Sequence, residues 1–457
     1  MLSKSNAPSQ SVVPETIVSL TGLVLVWYSY YLFGSLASII SPHFFPKSLT
    51  EITGPAYTYT FVLAFAIRPA GGLLFGWLAD WRGRRFALAL SLLLAGLSTF
   101  LIGILPAFNS IKTVAPLALL GLRTIESLSF GGALVVAIIY VFELAPSKRR
   151  GLYTSLLQIA PALGLALSLA SIVVTRRLFG NQFLLVSGWR YPLLLSVLLV
   201  GLAIYLRVRL SESPGFRKTE EAITRGGNWS RMLRLVFAIV AGQVSLFFLS
   251  QFYAAFHLQN VLRIETWTAS LIVCGANLLG IPFIILFGAL SDRFEGRKII
   301  LLSCLLSALI CLPIYSLMKR AAGVSVTTIA TAVDPITGRF GPHPGTSVQN
   351  RFEPIGAAAR PNVPLLVILV FLLVLLSAAV AGPMPAYLAE NFAPERRGLF
   401  VAGTFVGHGV LGSLLPVVSL PLLVSSGNIY AGVYVAAALA LGSVITDALF
   451  LKQRIRA

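Results

Sequence analysis

The sequence predicts an all-α membrane protein with twelve transmembrane helices. Of its 457 residues, 57% are hydrophobic and only 11% are charged, and the mean hydropathy is +0.86. About a quarter of the residues in a soluble protein are charged, so this chain has too few charges to cover the surface of a soluble globule. Apolar runs of about 20 residues, which is the length that crosses a bilayer, recur along the whole chain.

The apolar runs define twelve predicted spans. A chain in hydrocarbon has to satisfy its backbone hydrogen bonds within each segment, and no ten-residue alternating pattern of a β-barrel is present, so the runs are predicted to be helices. The predicted spans are 16–41, 57–79, 86–107, 115–142, 151–175, 188–207, 234–257, 266–290, 298–318, 363–388, 398–423 and 428–450.

The basic residues predict the orientation of these spans. The 35 Lys and Arg against 16 Asp and Glu give a net charge of +19, which in a soluble protein would suggest nucleic acid binding. If both termini are inside, the inside segments hold 22 of these bases and the short outside loops hold five. The positive-inside rule then explains the excess without nucleic acid. We therefore expect a multi-pass protein of the cell (inner) membrane with cytoplasmic N- and C-termini and lipids as partners.

Two loop motifs each occur twice, six spans apart. GWLADWRGRR starts at residue 76 and is matched by GALSDRFEGRK from residue 288; ELAPSKRRG starts at residue 143 and is matched by ENFAPERRG from residue 390. Such repeats are typical of secondary transporters with two six-helix halves and a substrate site between them. The predicted units are an N-terminal bundle over 1–207, a cytoplasmic linker over 208–230 and a C-terminal bundle over 231–457.

The charged residues of these motifs are predicted to form a cytoplasmic gate, because acids among bases at helix ends can latch two halves together and separate when the halves rock. The alternative is that the bases only set topology, which we favour for Arg82 and Lys148. The predicted gate residues are Asp80, Arg84, Arg85, Glu143, Arg150, Asp292, Arg297, Glu390 and Arg397.

Further short motifs match those of one transporter family. They occur in the same order and cover nearly the whole chain. They are RPAGGLLFG from residue 68, GG at 131, GWRYP from 188, SESP from 211, GPMPAYLAE from 382 and GSLLP from 412. Together with the loop motifs, they resemble the major facilitator superfamily and, within it, the metabolite:proton symporter subfamily of α-ketoglutarate, shikimate and proline/betaine permeases. The resemblance implies alternating-access transport of a small polar metabolite, often a carboxylate or zwitterion, driven by protons, with no cofactor.

Three positions depart from that family pattern. Relatives tend to carry an acidic pair in span 1 and an acid after the double glycine of span 4, where this chain has Val26, Ser29 and Ala133. The family's usual proton carriers are therefore missing. An uncoupled facilitator of the same fold, or a transporter-like sensor, remains an alternative to proton symport.

Embedded charges are expensive in a bilayer and are therefore functional candidates. Arg123 and Glu126 lie three residues apart on one predicted helix, within pairing distance. We predict that this pair couples transport to protons, because burial and the neighbouring Arg act on the Glu in opposite directions; a permanent ion pair is the alternative. Arg68 has no acid within its predicted span, so it is a candidate partner for an anionic substrate or, alternatively, a structural residue.

Polar side chains in other spans complete the predicted substrate site. Amides, tyrosines and an imidazole in hydrocarbon either join helices by hydrogen bonds or line a cavity. The predicted substrate-binding residues are Arg68, Arg123, Tyr28, Tyr31, Gln158, Gln243, Asn277 and His408. His257, by contrast, is predicted to be solvated at a helix end, and Asp447 to pair with Lys452 or with water.

The remaining expectations concern what the chain lacks and how it associates. Cysteines occur in apolar stretches without ligand spacing, and no nucleotide loop or catalytic triad pattern is present, so no enzyme, metal or cofactor is predicted. The Gly- and Pro-rich segment 319–362 is predicted to be an extracytoplasmic insertion, either a tolerated loop or a lid. We expect a monomer whose partners are a small-molecule substrate and protons.

Overall fold

The computed structural model describes residues 12–45, 56–209, 211–213, 216, 229–323 and 361–450, and within them the architecture is helical. We number the membrane-spanning helices α1 to α12 in chain order. Their bounds are Val12–Phe44 (α1), Ala56–Arg82 (α2), Arg84–Ile104 (α3), Val114–Leu144 (α4), Ser147–Phe179 (α5), Asn181–Gly188 with Arg190–Leu206 (α6), Trp229–Val261 (α7), Thr266–Ser291 (α8), Gly296–Ala321 (α9), Val363–Glu390 (α10), Arg397–Ser426 (α11) and Ala431–Phe450 (α12).

The predicted fold class is confirmed. Among the described residues, ten helices are long and apolar enough to cross a membrane, and α6 makes an eleventh if its two segments form one span. The helix α2, 27 residues long, occupies the place of the predicted second span. The span prediction missed one feature, since α6 begins before residue 188 and bends by 55° between its two segments.

Helices of the group α1–α6, which we call the N-terminal half, meet helices of the group α7–α12, which we call the C-terminal half, in pairs related by the sequence repeat. The helix α2 packs against α11, and its counterpart α8 packs against α5. All four helices carry a motif glycine at the contact. A Cβ on Gly76 would lie 2.5 Å from the carbonyl oxygen of Gly398, and a Cβ on Gly151 would lie 2.4 Å from that of Gly288. Glycine is therefore required where the halves touch.

Two of the spans are interrupted midway by proline. In α5 the regular helix stops at Leu157 and resumes at Ala160, and Pro161 cannot donate the hydrogen bond that would close the turn between them. In α10 the break follows Ala381, before Pro383 and Pro385. Discontinuous helices of this kind occur at the substrate sites of transporters, where the interrupted backbone lines a cavity.

Two predictions about individual side chains are wrong. His257 is completely buried in α7, and its ring lies edge-on to Tyr315 with centroids 5.0 Å apart, because α7 continues past the predicted end through a further helical turn. Asp447 accepts two hydrogen bonds of 2.8 Å from Arg297, so its partner is an arginine of α9. Lys452, its predicted partner, lies outside the described residues.

The loops predicted by composition fall mostly outside the described residues. This is the case for the segment 319–362 apart from its ends and for most of the linker 208–230. Their predicted roles, and the predicted division of the chain into 1–207 and 231–457, therefore remain predictions.

Gly131 provides a test of helix packing. A Cβ at this position of α4 would lie 2.1 Å from the backbone oxygen of Arg68 in α2, whereas a Cβ at Gly121 of the same helix meets nothing within 4 Å. We expect Gly131→Ala to force α2 and α4 apart and to destabilise the protein by about 1–3 kcal/mol. Gly121→Ala is the matched control and should be neutral or stabilising by up to about 1 kcal/mol. Thermal unfolding in detergent measures both; equal midpoints would contradict the packing account.

Candidate functional site

A cavity of about 160 Å³ lies between the two halves. Side chains of α1, α2, α4 and α5 line it from the N-terminal half, and side chains of α7, α10 and α11 line it from the C-terminal half. Most of its wall is aromatic or aliphatic. The polar and charged residues on the wall include Arg68, Tyr30, Tyr31, Gln158, Gln243 and His408.

The Arg68 guanidinium lies between two aromatic rings of this wall. Its central carbon is 3.9 Å from the ring centroid of Tyr30 and 4.1 Å from that of Phe130. Trp27 extends the aromatic surface, with its ring edge-on to Phe130 at 4.8 Å and stacked on Tyr31 at 5.4 Å. The rings stabilise the buried cation through their negative faces, while the guanidinium keeps access to the cavity.

The sequence of α2 and α4 explains this placement. Glycines face each other across the two helices: a Cβ on Gly71 would lie 2.0 Å from the Leu128 carbonyl oxygen, and Gly131 meets the backbone of Arg68. The two backbones are therefore in direct contact. This contact brings Arg68 of one helix next to Phe130 of the other.

The predicted pair in α4 is confirmed as an ion pair. Arg123 donates to Glu126 at 2.6 Å, and the two side chains are only 2% and 8% exposed. The Arg123 guanidinium also lies 3.8 Å from the ring centroid of Phe33. Both partners interact electrostatically with Arg68, although neither lines the cavity. The three side chains form a buried charge cluster with a formal charge of +1.

The structure separates the predicted substrate residues into two groups. Arg68, Tyr31, Gln158, Gln243 and His408 line the cavity. Gln158 lies there because it occupies the break in α5, and Gln243 because α7 turns it inwards, with 5% of its surface exposed.

The other three predicted residues do not line the cavity. The Arg123 guanidinium forms an ion pair with Glu126. The Tyr28 hydroxyl donates to the carbonyl of Pro192 at 2.6 Å, and Asn277 is hydrogen-bonded to Gln251 across α7 and α8. Tyr28 and Asn277 therefore join helices, which was the alternative interpretation of such side chains.

The aromatic wall of the cavity was not predicted from the sequence. Trp27, Tyr30, Phe130, Phe247 and Phe405 line the cavity, and none was a candidate. Aromatic residues occur on every face of membrane helices, so type alone does not distinguish them. The only signal was the WYSYY cluster that begins at residue 27, of which only two tyrosines were selected.

The repeated motifs meet at one end of the bundle, which we call the latch end. Asp80 accepts hydrogen bonds of 2.9 Å from the backbone N–H groups of Gly398 and Leu399, at the start of α11. In the other half, Asp292 accepts hydrogen bonds of 2.7 and 2.9 Å from the N–H groups of Gly151 and Leu152 in α5. Each acid thus binds a helix N-terminus of the opposite half, where the helix dipole favours negative charge.

A second set of contacts, centred on Glu143, reinforces the Asp80 side. Glu143 forms ion pairs with Arg84 of its own half at 3.2 Å and with Arg397 of the other half at 2.7 Å. Arg84 also pairs with Asp80 at 3.2 Å and donates to the carbonyl of Pro394. We call Asp80, Arg84, Glu143, Asp292 and Arg397 the latch.

Four predicted gate residues make other contacts. The backbone N–H of Arg85 donates to Glu212 of the linker, and the Arg150 guanidinium lies 4.4 Å from the ring centroid of Phe142. Arg297 is bound to Asp447 within its own half. Glu390 interacts electrostatically with Arg150 and Arg397 and with Asp292. In the repeat, Arg297 is the counterpart of Arg84, but it binds Asp447 of α12. The two sides of the latch end are therefore not equivalent.

The electrostatics of Asp292 fit a contact that forms and breaks. Burial between the halves raises the pKa of this carboxyl, while the N–H groups of Gly151 and Leu152 and the nearby Arg149 act in the opposite direction. Desolvation is therefore offset by donors that belong to the other half. If the halves separate, the donors leave and water replaces them.

Comparison with known proteins agrees with this geometry. The family model described as "Sugar (and other) transporter" matches residues 15–224. The proline/betaine transporter of Escherichia coli K12 is 28% identical over 65% of this chain, and the aligned part spans 63% of that relative's length. The shikimate transporter of the same organism is 29% identical over 66% of this chain and 71% of its own length. The metabolite transport protein YhjE of E. coli K12 is 28% identical over 92% of this chain and 90% of its own.

Solved structures show the same fold. The proton:xylose symporter XylE bound to 6-bromo-6-deoxy-D-glucose superimposes with a TM-score of 0.69 over 96% of both chains, at 18% sequence identity. A partially occluded inward-open conformation of XylE from E. coli gives a TM-score of 0.60.

In the part of the chain that the structure describes, apolar helices long enough to cross a membrane surround a central cavity and are joined at one end by the latch, which is the architecture of a multi-pass membrane protein. As its motifs predicted, the chain resembles transporters: it matches the sugar (and other) transporter family over residues 15–224, and it is similar to proline/betaine and shikimate transporters.

Asp80→Asn tests the latch. The substitution removes the charge from the two hydrogen bonds that join α2 to α11, and also from the ion pair with Arg84 of the same half. We therefore expect the closed form to lose about 1.5 kcal/mol, which is more than a tenfold change in population. Spin labels at Arg82 and Ala393, in a variant without native cysteines, should report longer distances by pulsed electron resonance. Glu295→Gln is the control, since Glu295 pairs with Lys298 of its own half. Unchanged distances in Asp80→Asn would rule out the latch.

Proposed function

We propose that this protein is a secondary transporter that carries a small organic acid across the cell membrane by alternating access, with its latch end in the cytoplasm. The observation that carries the proposal is the Arg68 guanidinium on the wall of a cavity between two halves. A buried cation at a midplane cavity is a binding group for an anion. The named substrates of the similar transporters, proline, betaine and shikimate, each contain a carboxylate.

The proposed substrate contacts follow from the wall. Arg68 offers a planar fork that matches a carboxylate in a bidentate arrangement. Tyr31 and Gln158 from the N-terminal half, and Gln243 and His408 from the C-terminal half, offer hydrogen bonds to the rest of the molecule. A substrate held by both halves favours the conformation in which they close around it, which is the requirement for alternating access.

The helix α2 connects binding to gating. Arg68 and Asp80 lie on this helix twelve residues apart, which corresponds to about 18 Å along its axis. The middle of the helix therefore contacts the substrate, and its C-terminal end contacts α11 through the latch. A rotation of the N-terminal half moves both, so the cavity opens towards the cytoplasm only when the latch is broken. Orientation with the basic loops inside supports a cytoplasmic latch end.

Proton symport is the mode that we propose, with Glu126 as the proton carrier and Arg123 as its partner. Glu126 is the acid that interacts with Arg68, and Val26, Ser29 and Ala133 supply no other carboxylate in the N-terminal cavity region. A bound carboxylate adds one negative charge to the cluster of Arg68, Arg123 and Glu126. Protonation of Glu126 removes one, so substrate and proton binding favour each other.

Uncoupled facilitation is the second candidate function. It is favoured by the 2.6 Å bond between Arg123 and Glu126, since this ion pair can be purely structural, and by Val26, Ser29 and Ala133 at the positions where the family pattern has acids. The two functions differ in whether protons accompany the substrate.

Glu126→Gln separates these functions. In proteoliposomes with a pH gradient, we expect the variant to lose uphill accumulation of substrate and to retain counterflow, because the amide binds no proton. Glu265→Gln, an acid of the loop before α8 that accepts a hydrogen bond from Thr268, is the control and should behave as wild type. Proton-driven accumulation that persists in Glu126→Gln would disprove the role of Glu126, and wild-type uptake without proton movement would establish the facilitator.

Arg68→Lys tests the substrate contact. Lysine retains the charge but loses the bidentate fork and the flat contact with Tyr30 and Phe130, so we expect carboxylate binding to weaken by about tenfold or more. Isothermal titration of the purified protein measures this. Arg176→Lys, at an exposed position of α5, is the matched control. If Arg68→Lys binds normally, or loses thermal stability without a change in affinity, Arg68 is structural.

A further inference from the structure

We infer that the cavity selects a monocarboxylate attached to a flat apolar ring, in preference to zwitterions such as betaine and to dicarboxylates. The inference rests on the proposed function, because it specifies the organic acid that the same site accepts. It is carried by three properties of the cavity: its charge, the composition of its walls and its volume.

The charge of the site fits one carboxylate. In the ion-paired state that the structure shows, before a proton binds to Glu126, the side chains of Arg68, Arg123 and Glu126 sum to a formal charge of +1, and no Asp or Glu is among the described residues that line the cavity. One carboxylate neutralises this charge. A second carboxylate would find no cation on the described wall, since Arg123 is bound to Glu126, and burying an unpaired charge is costly.

The same arrangement disfavours a zwitterion. A substrate ammonium would lie near the Arg68 guanidinium without a carboxylate on the described wall to balance it. Aromatic rings can bind an ammonium through their faces, but the guanidinium already lies against Tyr30 and Phe130. A cation added beside these rings would meet a like charge.

The walls provide a surface for a ring. Trp27 and Phe130 line the cavity from the N-terminal half, and Phe247 and Phe405 line it from the C-terminal half. The His408 ring is adjacent to both of these phenylalanines, at centroid distances of 6.2 and 6.4 Å. The cavity is thus cationic at one point and aromatic elsewhere, which is complementary to a molecule with a carboxylate at one end and a flat ring at the other.

The volume limits the size of the ring system. Drug-sized ligand pockets measure about 300–1,000 Å³, and this cavity, at about 160 Å³, is smaller. A single six-membered ring with a carboxylate fits the smaller size, whereas a disaccharide or a fused polycyclic acid does not.

The test compares five probes that differ in one property each, with binding measured by titration calorimetry on the purified full-length protein in nanodiscs. Benzoate has the ring and one carboxylate. Compared with benzoate, benzamide lacks the charge, acetate lacks the ring and phthalate adds a carboxylate; compared with acetate, glycine betaine adds a cation. We expect benzoate to bind about tenfold more tightly than acetate, because it buries a ring, and about tenfold more tightly than benzamide, because it pairs with Arg68. Phthalate and glycine betaine should bind more weakly than benzoate.

Phe247→Leu tests whether the ring of the bound ligand lies against the aromatic wall of the cavity. This variant should weaken benzoate binding about threefold or more while leaving acetate binding unchanged, since an aromatic pair contributes beyond its buried area. Phe237→Leu on the same helix is the matched control, because Phe237 is 51% exposed on the outer surface. Phe405→Leu provides an independent second variant if Phe247→Leu folds poorly.

The outcomes distinguish a failure of the inferred substrate class from a failure of the proposed function. Acetate, phthalate or glycine betaine binding as tightly as benzoate overturns the inference and leaves carboxylate transport intact. Benzamide binding as tightly as benzoate overturns the role assigned to the positive charge. If none of the carboxylates binds to folded protein, the proposed function fails together with the inference.

Discussion

The rest of the structure depends on the burial of one guanidinium, that of Arg68, between two apolar halves. A cation at the centre of a bilayer costs at least about 2.5 kcal/mol and requires compensation. Tyr30 and Phe130 provide aromatic faces, Glu126 provides a negative charge nearby, and the glycines of α2 and α4 bring these groups together. Arg123 takes part of the charge of Glu126, so the site remains cationic. Under the proposed function, a bound substrate carboxylate completes the compensation.

In the latch, at the end of the bundle, buried charges are likewise compensated by neighbouring groups. Asp80 and Asp292 are carboxylates whose hydrogen-bond donors lie in the opposite half, at the starts of α11 and α5. The cost of removing these carboxylates from water is offset only when the halves are together and supply the donors, and water hydrates the carboxylates when the halves are apart. Both halves use the same motif because the chain is a repeat. The Arg297–Asp447 pair breaks this symmetry and leaves Glu143 as the centre of the network on one side only.

Hydropathy, charge bias and the repeated motifs predicted the fold, because the bilayer imposes span length and the repeat imposes the two halves. Arg68 and the Arg123–Glu126 pair were candidates because a charge within a span is rare. Asp80 and Asp292 were candidates because they occur in the repeated loop motifs. The aromatic wall was not predictable in this way, because Phe247 or Trp27 differs from lipid-facing rings only in direction. Likewise, Tyr28 and Asn277 have the composition of cavity residues, but their hydrogen bonds lie between helices. The partner of Arg297 lies 150 residues away and becomes apparent only in three dimensions.

The central claim is that a substrate carboxylate binds to Arg68 in the cavity between the halves. A structure of the protein determined by electron microscopy in the presence of benzoate tests it most directly. The account predicts density for the carboxylate within about 3 Å of the Arg68 guanidinium nitrogens, with the ring against the aromatic wall. Density for the ligand elsewhere, or a carboxylate directed away from Arg68, would contradict it.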